Sequence, residues 1–399
     1  MNKQTVRDID VRGKRVFLRA DLNVPLDDGR ITDDTRVRAS VPTIVYLLER
    51  GASVVLASHL GRPKGKVNDA LRLKPVADRL SQLLGRPVRL TGDALGAGVQ
   101  LAVDKLQPGD LLMLENLRFH AEEEANDPAF AKALAGFADL YVDDAFGSAH
   151  RAHASTEGIT HYLPAVAGLL LEREVEALSR LLKKPAKPFH TVIGGAKIAG
   201  KLEVLEALLN RCQAILVGGG MANTFLAARG LAMGKSLVET DQLENAERIM
   251  AEARRKRVRF MLPTDAVIAP QIHYRARTET IPIDAVPKDQ MVVDIGPETV
   301  AAYTEHLAKA RTIFWNGPMG VFEITGFAAG TTAIARYIAE RTGAGVVTIV
   351  GGGDSVAAVE QLGVADQMTH VSTGGGASLE FVEGKSLPGV EALLDRDDP

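Results

Sequence analysis

Cysteine occurs once in this 399-residue chain, at Cys212, so an internal disulfide, a CxxC redox pair and a thiolate zinc site are all excluded. That scarcity suits a reducing cytoplasm. No apolar run approaches the ~18 residues that span a bilayer, and the opening MNKQTVRDID has no apolar signal core. The expectation is therefore a protein that is neither exported nor membrane-bound. Nor is there an excess of charge of either sign: 47 Lys and Arg stand against 50 Asp and Glu, a net charge of −3. Nucleic acid and anionic membrane both favour a strongly basic face, so neither is the expected partner. Aromatic residues make up only 5 % of the chain, while glycine is plentiful at 38 positions.

The length exceeds what one ordinary core fills and points to two domains. In the first half, apolar runs end in turns that present polar or basic residues. VFLRA leads to Asp21, Asn23 and, beyond a loop, Arg36. VVLAS leads to His59 and Arg62, LLMLEN to Arg118, and LYVDDAF to His150, Arg151 and His153. Short continuous apolar runs separated by helical stretches read as parallel strands buried on both faces. Ligands of such sheets sit beyond the carboxyl ends of the strands. Arginines delivered there by successive loops predict a pocket for a small molecule with several negative charges, because guanidinium forks pair with carboxylate and phosphate oxygens.

The second half keeps the rhythm with glycine in place of arginine. FHTVIGGAK, QAILVGGGMANT, MVVDIGPET, TIFWNGPMG, VVTIVGGGDS and HVSTGGGAS each run from an apolar stretch into a glycine turn. They predict a second α/β sheet whose rim is lined with backbone amides, which bind phosphate at helix N-termini. IAGKLEVLEALLN reads as an amphipathic helix with an apolar stripe of Ile198, Leu202, Leu205 and Leu209. The boundary falls at LLKKPAKPFH, where Pro185 and Pro188 interrupt helix, after a helix LEREVEALSRLL that leaves one lobe for the other.

Two tempting motifs fail on spacing. GLAMGKS has one residue too few between its first glycine and its Gly-Lys pair for a phosphate-binding P-loop. No triple-glycine turn completes the dinucleotide pattern G-x-G-x-x-G, since the sixth positions are Asn223, Val356 and Leu379. A nicotinamide dehydrogenase is weakened by that, and a non-catalytic nucleotide sensor has no use for the arginine-bearing loops. Among the remaining constellations, Lys197 and Lys201 stand four apart after a glycine turn, which on a helix puts them on one face. Asp354 follows three glycines and precedes Ser355, so GGGDS offers amides for phosphate and a carboxylate for Mg²⁺; its plainer reading is a helix N-cap. Glu323 could accept hydrogen bonds from a ribose. His150 and His153 lack partners suited to a metal site.

Taken in order, RADLNVP, HLGRP, ENLRF, AHRAHAS, GGAK with a lysine four residues later, WNGPMGVFE, GGGDS and STGGGAS resemble the phosphoglycerate kinase family over nearly the whole chain. The resemblance implies two Rossmann-like doubly wound parallel-sheet lobes joined by a hinge helix. Residues 1–170, with about 380–399 packing back, would hold phosphoglycerate; 171–186 would form the hinge helix and linker; 187–379 would hold the nucleotide. It implies phosphoryl transfer between 1,3-bisphosphoglycerate and ADP, in line and on lobe closure, with Mg²⁺, by a cytoplasmic monomer. By motif, Asp21, Asn23, Arg36, His59, Arg62, Arg118 and Arg151 would contact the acid, and Lys201, Glu323, Gly352, Gly353, Asp354 and Ser355 the nucleotide, with Asp354 on the metal. Arg36, Lys197 and Lys201 would act on the transferring group, with amides from Gly374, Gly375 and Gly376. Arg38, next but one in TDDTRVRAS, is the alternative to Arg36 for that place.

Overall fold

The structure, a computed structural model, describes residues 2–396. The chain divides into two compact units. One holds the chain up to Glu176 and again from Ser386; the other is Ala177–Lys385.

The first unit is built on a six-stranded parallel sheet of β1 (Arg15–Ala20), β2 (Ser53–Ala57), β3 (Arg89–Leu90), β4 (Leu111–Met113), β5 (Leu140–Asp144) and β6 (Ala165–Ala167), in the spatial order β3-β4-β2-β1-β5-β6. Every residue of β2, β4, β5 and β6 is buried, as expected of strands covered on both faces. Val16, Leu18, Val54, Leu56 and Val142 pack into one core with Val37, Ile44 and Leu47 of helix α1 (Thr35–Glu49). Arg19 breaks the apolar pattern of β1, being fully buried within it. The direction of strand addition reverses between β1 and β5, so the crevice of this sheet lies where the loops after these two strands leave it. The segment from Ser386 packs on this unit through Gly389 N–H to Ala149 O at 2.9 Å and Leu394 N–H to Ala165 O at 3.0 Å. Its return begins there and not near 380, because 376–383 are occupied by a helix of the other unit; residues 397–399 lie outside the described chain.

Helix α2 (Leu169–Lys183) contains the division between the units. Its first turn is capped by side chains: Leu170 N–H and Leu171 N–H donate to Asp144 Oδ1 at 2.8 and 3.2 Å, and Leu169 N–H donates to Thr43 Oγ1 at 3.1 Å.

The second unit has a six-stranded parallel sheet of β7 (Phe189–Ile193), β8 (Ala214–Val217), β9 (Arg259–Met261), β13 (Thr312–Asn316), β14 (Val347–Gly351) and β15 (His370–Val371), in the order β9-β8-β7-β13-β14-β15. This is the strand order of a dinucleotide-binding fold, with its reversal between β7 and β13. Three further strands, β10 (Asp265–Ala269), β11 (Glu279–Pro282) and β12 (Met291–Ile295), form a separate antiparallel sheet. MVVDIGPET therefore does not join the parallel sheet, contrary to the reading of its apolar run. The connections joining these three strands are too short for the crossovers that parallel pairing demands. Four helices matter for the site: α3 (Leu202–Leu209), α4 (Gly219–Ala228), α5 (Gly353–Gln361) and α6 (Gly376–Glu383). Helix α3 begins later than its apolar stripe suggests, since Ala199–Lys201 is a single 3-10 turn and Gly195, at φ +111°, keeps the preceding backbone out of helix. Among the described residues no helix is long and apolar enough to cross a membrane.

Candidate active site

In the first unit the loops after β1, β2, β4 and β5 interlock. Asn23 Oδ1 accepts the Gly61 N–H at 2.8 Å, which ties the β1 loop to the β2 loop. Arg118 Nη1 donates to Gly61 O at 3.1 Å, which ties in the β4 loop. Arg36, at the start of α1, donates through Nη1 to Asn23 O at 2.9 Å and lies 3.3 Å from Asp21 Oδ2. Its neighbour Arg38 turns instead to Asp34 at 2.8 Å. Of the two arginines, Arg36 is the one aimed at the Asp21–Asn23 turn.

Behind these loops lies a chain of buried polar groups. Arg19 donates through Nε to Ser155 Oγ at 2.8 Å, through Nη1 to Ala20 O, and through Nη2 to His59 Nδ1 at 3.1 Å. Ser155 Oγ donates in turn to Glu123 Oε1 at 2.6 Å, and Ser155 N–H donates to Glu123 Oε2 at 3.0 Å. Glu123 thus supplies the counter-charge for a guanidinium taken out of water. The concentration of cations shows in the histidines. Burial, then the fields of Arg19, Arg118 and Arg36, holds His59 well below its ordinary pKa. His153 is pushed down to about 3, by burial and then by Arg118, Arg19 and Arg151. Burial, opposed by Glu124, also lowers Arg118, with Arg19 and Arg151 adding repulsion. A site that represses protonation of two histidines is short of negative charge, which an anionic ligand would bring. Arg62 and Arg151 are exposed, whereas Arg118 is buried.

In the second unit the turns after β7 and β13 meet at the reversal point. Gly194 N–H donates to Asn316 O and Gly195 N–H to Pro318 O, both at 2.9 Å. Lys201 points its Nζ into this meeting, donating to Gly194 O and to Asn316 O, the latter at 3.3 Å. Burial lowers its pKa to about 8, against the pull of Asp354. Lys197 is exposed and precedes the helical turn, so the two lysines do not share a helix face. The glycine turn explains the difference, because it delivers Lys201 inward and leaves Lys197 in solvent.

Asp354 lies in the first turn of α5, whose N-cap is Gly352, and no side chain caps that helix. The plainer reading of Asp354 as a cap is therefore wrong; its carboxylate is exposed beside the amides of Gly353 and its own turn. Ser355 is fully buried and its Oγ accepts the Gly317 N–H, which ties this side chain to the turn after β13. Gly375 caps α6 in a positive-φ conformation, and Gly374 N–H donates to Ser372 Oγ at 3.2 Å.

A cavity of about 280 Å³ opens beside these turns. Its wall includes Gly195, Gly219, Pro318, Glu323 and Asp354 together with the apolar side chains of Leu237, Ile272, Met291 and Val321. Gly219, at φ +66°, permits it: a Cβ there would sit 2.7 Å from the Gly195 backbone. The sequence motifs point to Glu323 and Asp354 but not to the apolar half of this wall, nor to Glu123 in the first unit; Arg19 opens RADLNVP and Ser155 closes AHRAHAS, but neither string says what these two side chains hold. Arg19 carries one visible signal, a charge inside an apolar strand.

A family model described as phosphoglycerate kinase matches residues 6–385. The chain belongs to the phosphoglycerate kinase family. It is 55 % identical over 396 residues to the phosphoglycerate kinase of Pelotomaculum thermopropionicum, covering 99 % of this chain and 100 % of that protein. The family member from Moorella thermoacetica is 56 % identical over 396 residues with the same coverage. Among solved structures, phosphoglycerate kinase from Coxiella burnetii matches with a TM-score of 0.86 at 42 % identity, and that from Pyrococcus horikoshii with 0.87 at 36 %, each covering 98 % of both chains. The two parallel sheets described above are thus the lobes of this family.

Proposed function

We propose that this chain transfers a phosphoryl group between 1,3-bisphosphoglycerate and ADP, giving 3-phosphoglycerate and ATP. One observation supports it most: a cation-rich crevice on one sheet and a glycine-rimmed cavity with an inward lysine on the other, each at a strand-order reversal. The reaction suits these groups. A carboxylate is already a deprotonated nucleophile, so no general base is required, and His59 and His153 are held neutral by burial first and then by the cations around them.

In this reading Asp21, Asn23, His59, Arg62, Arg118 and Arg151 bind and orient the acid and its phosphate. Arg36, Lys197 and Lys201 neutralise the charge of the transferring group, aided by amides of the Gly374, Gly375 and Gly376 turn, in which the Gly374 N–H would have to leave Ser372 Oγ to take part. Glu323 accepts from the ribose, and the turn of Gly352, Gly353, Asp354 and Ser355 receives the nucleotide phosphates through its N–H groups.

Among the described residues no three His, Cys, Asp or Glu side chains cluster as a resident metal site. Mg²⁺ therefore fits as an ion held mainly by nucleotide phosphates, with the exposed Asp354 carboxylate as its protein oxygen, and it would supply further charge neutralisation. In-line transfer needs attacking and leaving oxygens aligned, so turnover is inferred to occur on closure of the lobes, with water excluded from the acyl phosphate. A cytoplasmic monomer completes the reading; with Cys212 as its one cysteine the chain can form no internal disulfide, which suits a reducing compartment. A coupled assay for ATP-dependent phosphorylation of 3-phosphoglycerate tests the whole. Binding of ADP without any such turnover would reduce the protein to a nucleotide sensor.

A further inference from the structure

The wall of the second unit's cavity includes a residue with a polar atom that the protein leaves unsatisfied. Asn223 stands on α4, is 2 % exposed and lines the wall. Its Oδ1 is buried and accepts no hydrogen bond. The other acidic or amide side chains of the wall are provided for. Asp294 accepts the Gly330 N–H through Oδ2 at 2.6 Å and the Ile295 N–H through Oδ1 at 2.9 Å. Glu323 and Asp354 reach solvent. The wall shared with Asn223 is otherwise largely apolar side chain and glycine backbone. A buried acceptor in such surroundings is costly unless the occupant brings an N–H to it.

The shape of the mouth says which kind of occupant. Leu237 and Ile272 are 48 and 57 % exposed, so two large apolar side chains wait at the entrance without cover. A flat heterocycle covers them with its faces and brings its polar groups in edge-on. Apolar contacts of this kind hold any purine; only a hydrogen bond to the edge tells one from another.

We propose that Asn223 reads the base of the nucleotide, its Oδ1 accepting from the exocyclic 6-amino group of adenine. This rests on the reading of the cavity as the nucleotide site. Amide side chains are well matched to the adenine edge, where an amino donor stands beside a ring acceptor. A base with a 6-carbonyl turns a lone pair toward Oδ1 instead. A purine with only hydrogen at C6 leaves Oδ1 as it is in the empty protein. Asn223 is thereby a specificity-determining residue, on the helix that follows the glycine turn of QAILVGGGMANT.

Calorimetric titration of the full chain with ADP and with purine riboside 5′-diphosphate tests this, since the two ligands differ only in the 6-amino group. The wild type should bind ADP about tenfold more tightly. Asn223→Leu, of similar volume and without hydrogen-bonding capacity, should bring ADP to the affinity of the analogue and leave the analogue unchanged. Equal affinities in the wild type overturn the proposal without recourse to any variant. Equal weakening of both ligands in Asn223→Leu overturns it as well, showing a packing role alone. The kinase assay on the same wild-type preparation separates the two readings. Turnover with equal affinities removes the base reading alone, while absence of both turnover and diphosphate binding removes the nucleotide site itself.

Discussion

Arg19 Nη2 lies 3.1 Å from His59 Nδ1 with both side chains buried, and a guanidinium has no lone pair to accept with. Nδ1 of His59 must therefore be the acceptor. It follows that His59 is neutral and carries its proton on Nε2. The same cations that force this, Arg19, Arg118 and Arg36, add to burial in lowering its pKa. Nitrogen-15 NMR should show His59 with an unprotonated Nδ1 and a protonated Nε2 from pH 8 down to pH 5. Arg19→Met, which removes the donor and one cation, should let the tautomer change. A His59 that titrates near its ordinary value in the folded wild type would end this assignment and return the residue to consideration as a charge or a base.

Behind that pair, Asp143 gives the first unit a pH dependence of definite sign. Burial raises its carboxyl to about 7, with Asp144 and Asp21 adding to the rise, while the Ala145 N–H and Arg19 oppose it. The folded value exceeds the unfolded one, so between about 4 and 7 the folded protein binds the extra proton. This contribution is present at low pH and is lost as pH rises through about 7. His153, held down at about 3, works the other way below its ordinary value, and so the substitution must isolate Asp143. Asp143→Asn keeps the 2.8 Å bond from Ala145 N–H to Oδ1 and removes the titration. In urea unfolding, the stability of wild type relative to variant should fall by about 1.4 kcal/mol per pH unit between pH 5 and 6, and by about half that slope near pH 7, where the folded carboxyl itself titrates. Parallel pH curves for the two proteins would show that Asp143 is ionised throughout.

Arg62 and Arg118 should separate binding from stability. Both belong to the proposed acid site, yet Arg62 is exposed and Arg118 is buried with Nη1 on Gly61 O. Arg62→Ala should raise KM for 3-phosphoglycerate about 30- to 150-fold, the worth of a charge-assisted contact made in ground and transition states alike. Its melting temperature should not move. Arg118→Ala should raise the same KM and also lower the melting temperature, because Gly61 O loses its donor. A rise in KM for ATP alone would mean that the acid binds elsewhere.

The contrast between these arginines marks what sequence could convey. Strand-end placement of Asp21, Asn23, His59, Arg62, Arg118 and Arg151 was legible because parallel strands are short apolar runs and their ligand-binding turns follow directly. Which of them would be buried was not, since that depends on loops from distant strands meeting, as Arg118 meets Gly61. The same limit hid Ser155 and Glu123, whose task of holding Arg19 exists only across β1 and the loops beyond β4 and β5. In the second unit the apolar-to-glycine pattern announced the glycine turns that border the cavity. The apolar wall of Leu237, Ile272 and Met291 comes from separate loops and strands with no shared motif. Periodicity also misled at Lys197 and Lys201: an i, i+4 spacing implies one face only where the intervening backbone is α-helical, and here it is a single 3-10 turn, Ala199–Lys201, with the α-helix starting at Leu202.

Lys201 and Arg36 are expected to govern kcat. Lys201 sits in a niche made for a small cation: Nζ reaches Gly194 O and Asn316 O, and Gly317, at φ +93°, leaves a space where a Cβ would come within 2.7 Å of Nζ. A compact ammonium fits there, and a planar guanidinium does not, so Lys201→Arg should fail to rescue the loss seen in Lys201→Ala. Arg36 is already oriented by Asn23 O and Asp21, and its removal should lower kcat on the order of 10³-fold, as loss of transition-state cations does elsewhere, with smaller effects on substrate affinity. The pH profile distinguishes Lys201 from a merely structural lysine. Burial brings its folded pKa down from 10.5 to about 8, so the charge needed for transfer is present below that pH and is lost as pH rises through it. In the free enzyme kcat/KM for ATP should therefore decline with an apparent pKa near 8. Bound phosphates favour the ammonium, and so the matching limb in kcat should lie at higher pH. Lys201→Ala should have neither limb. A wild-type kcat/KM that stays level beyond pH 9.5 would show that Lys201 keeps its proton without a ligand, or that its charge takes no part in the transfer.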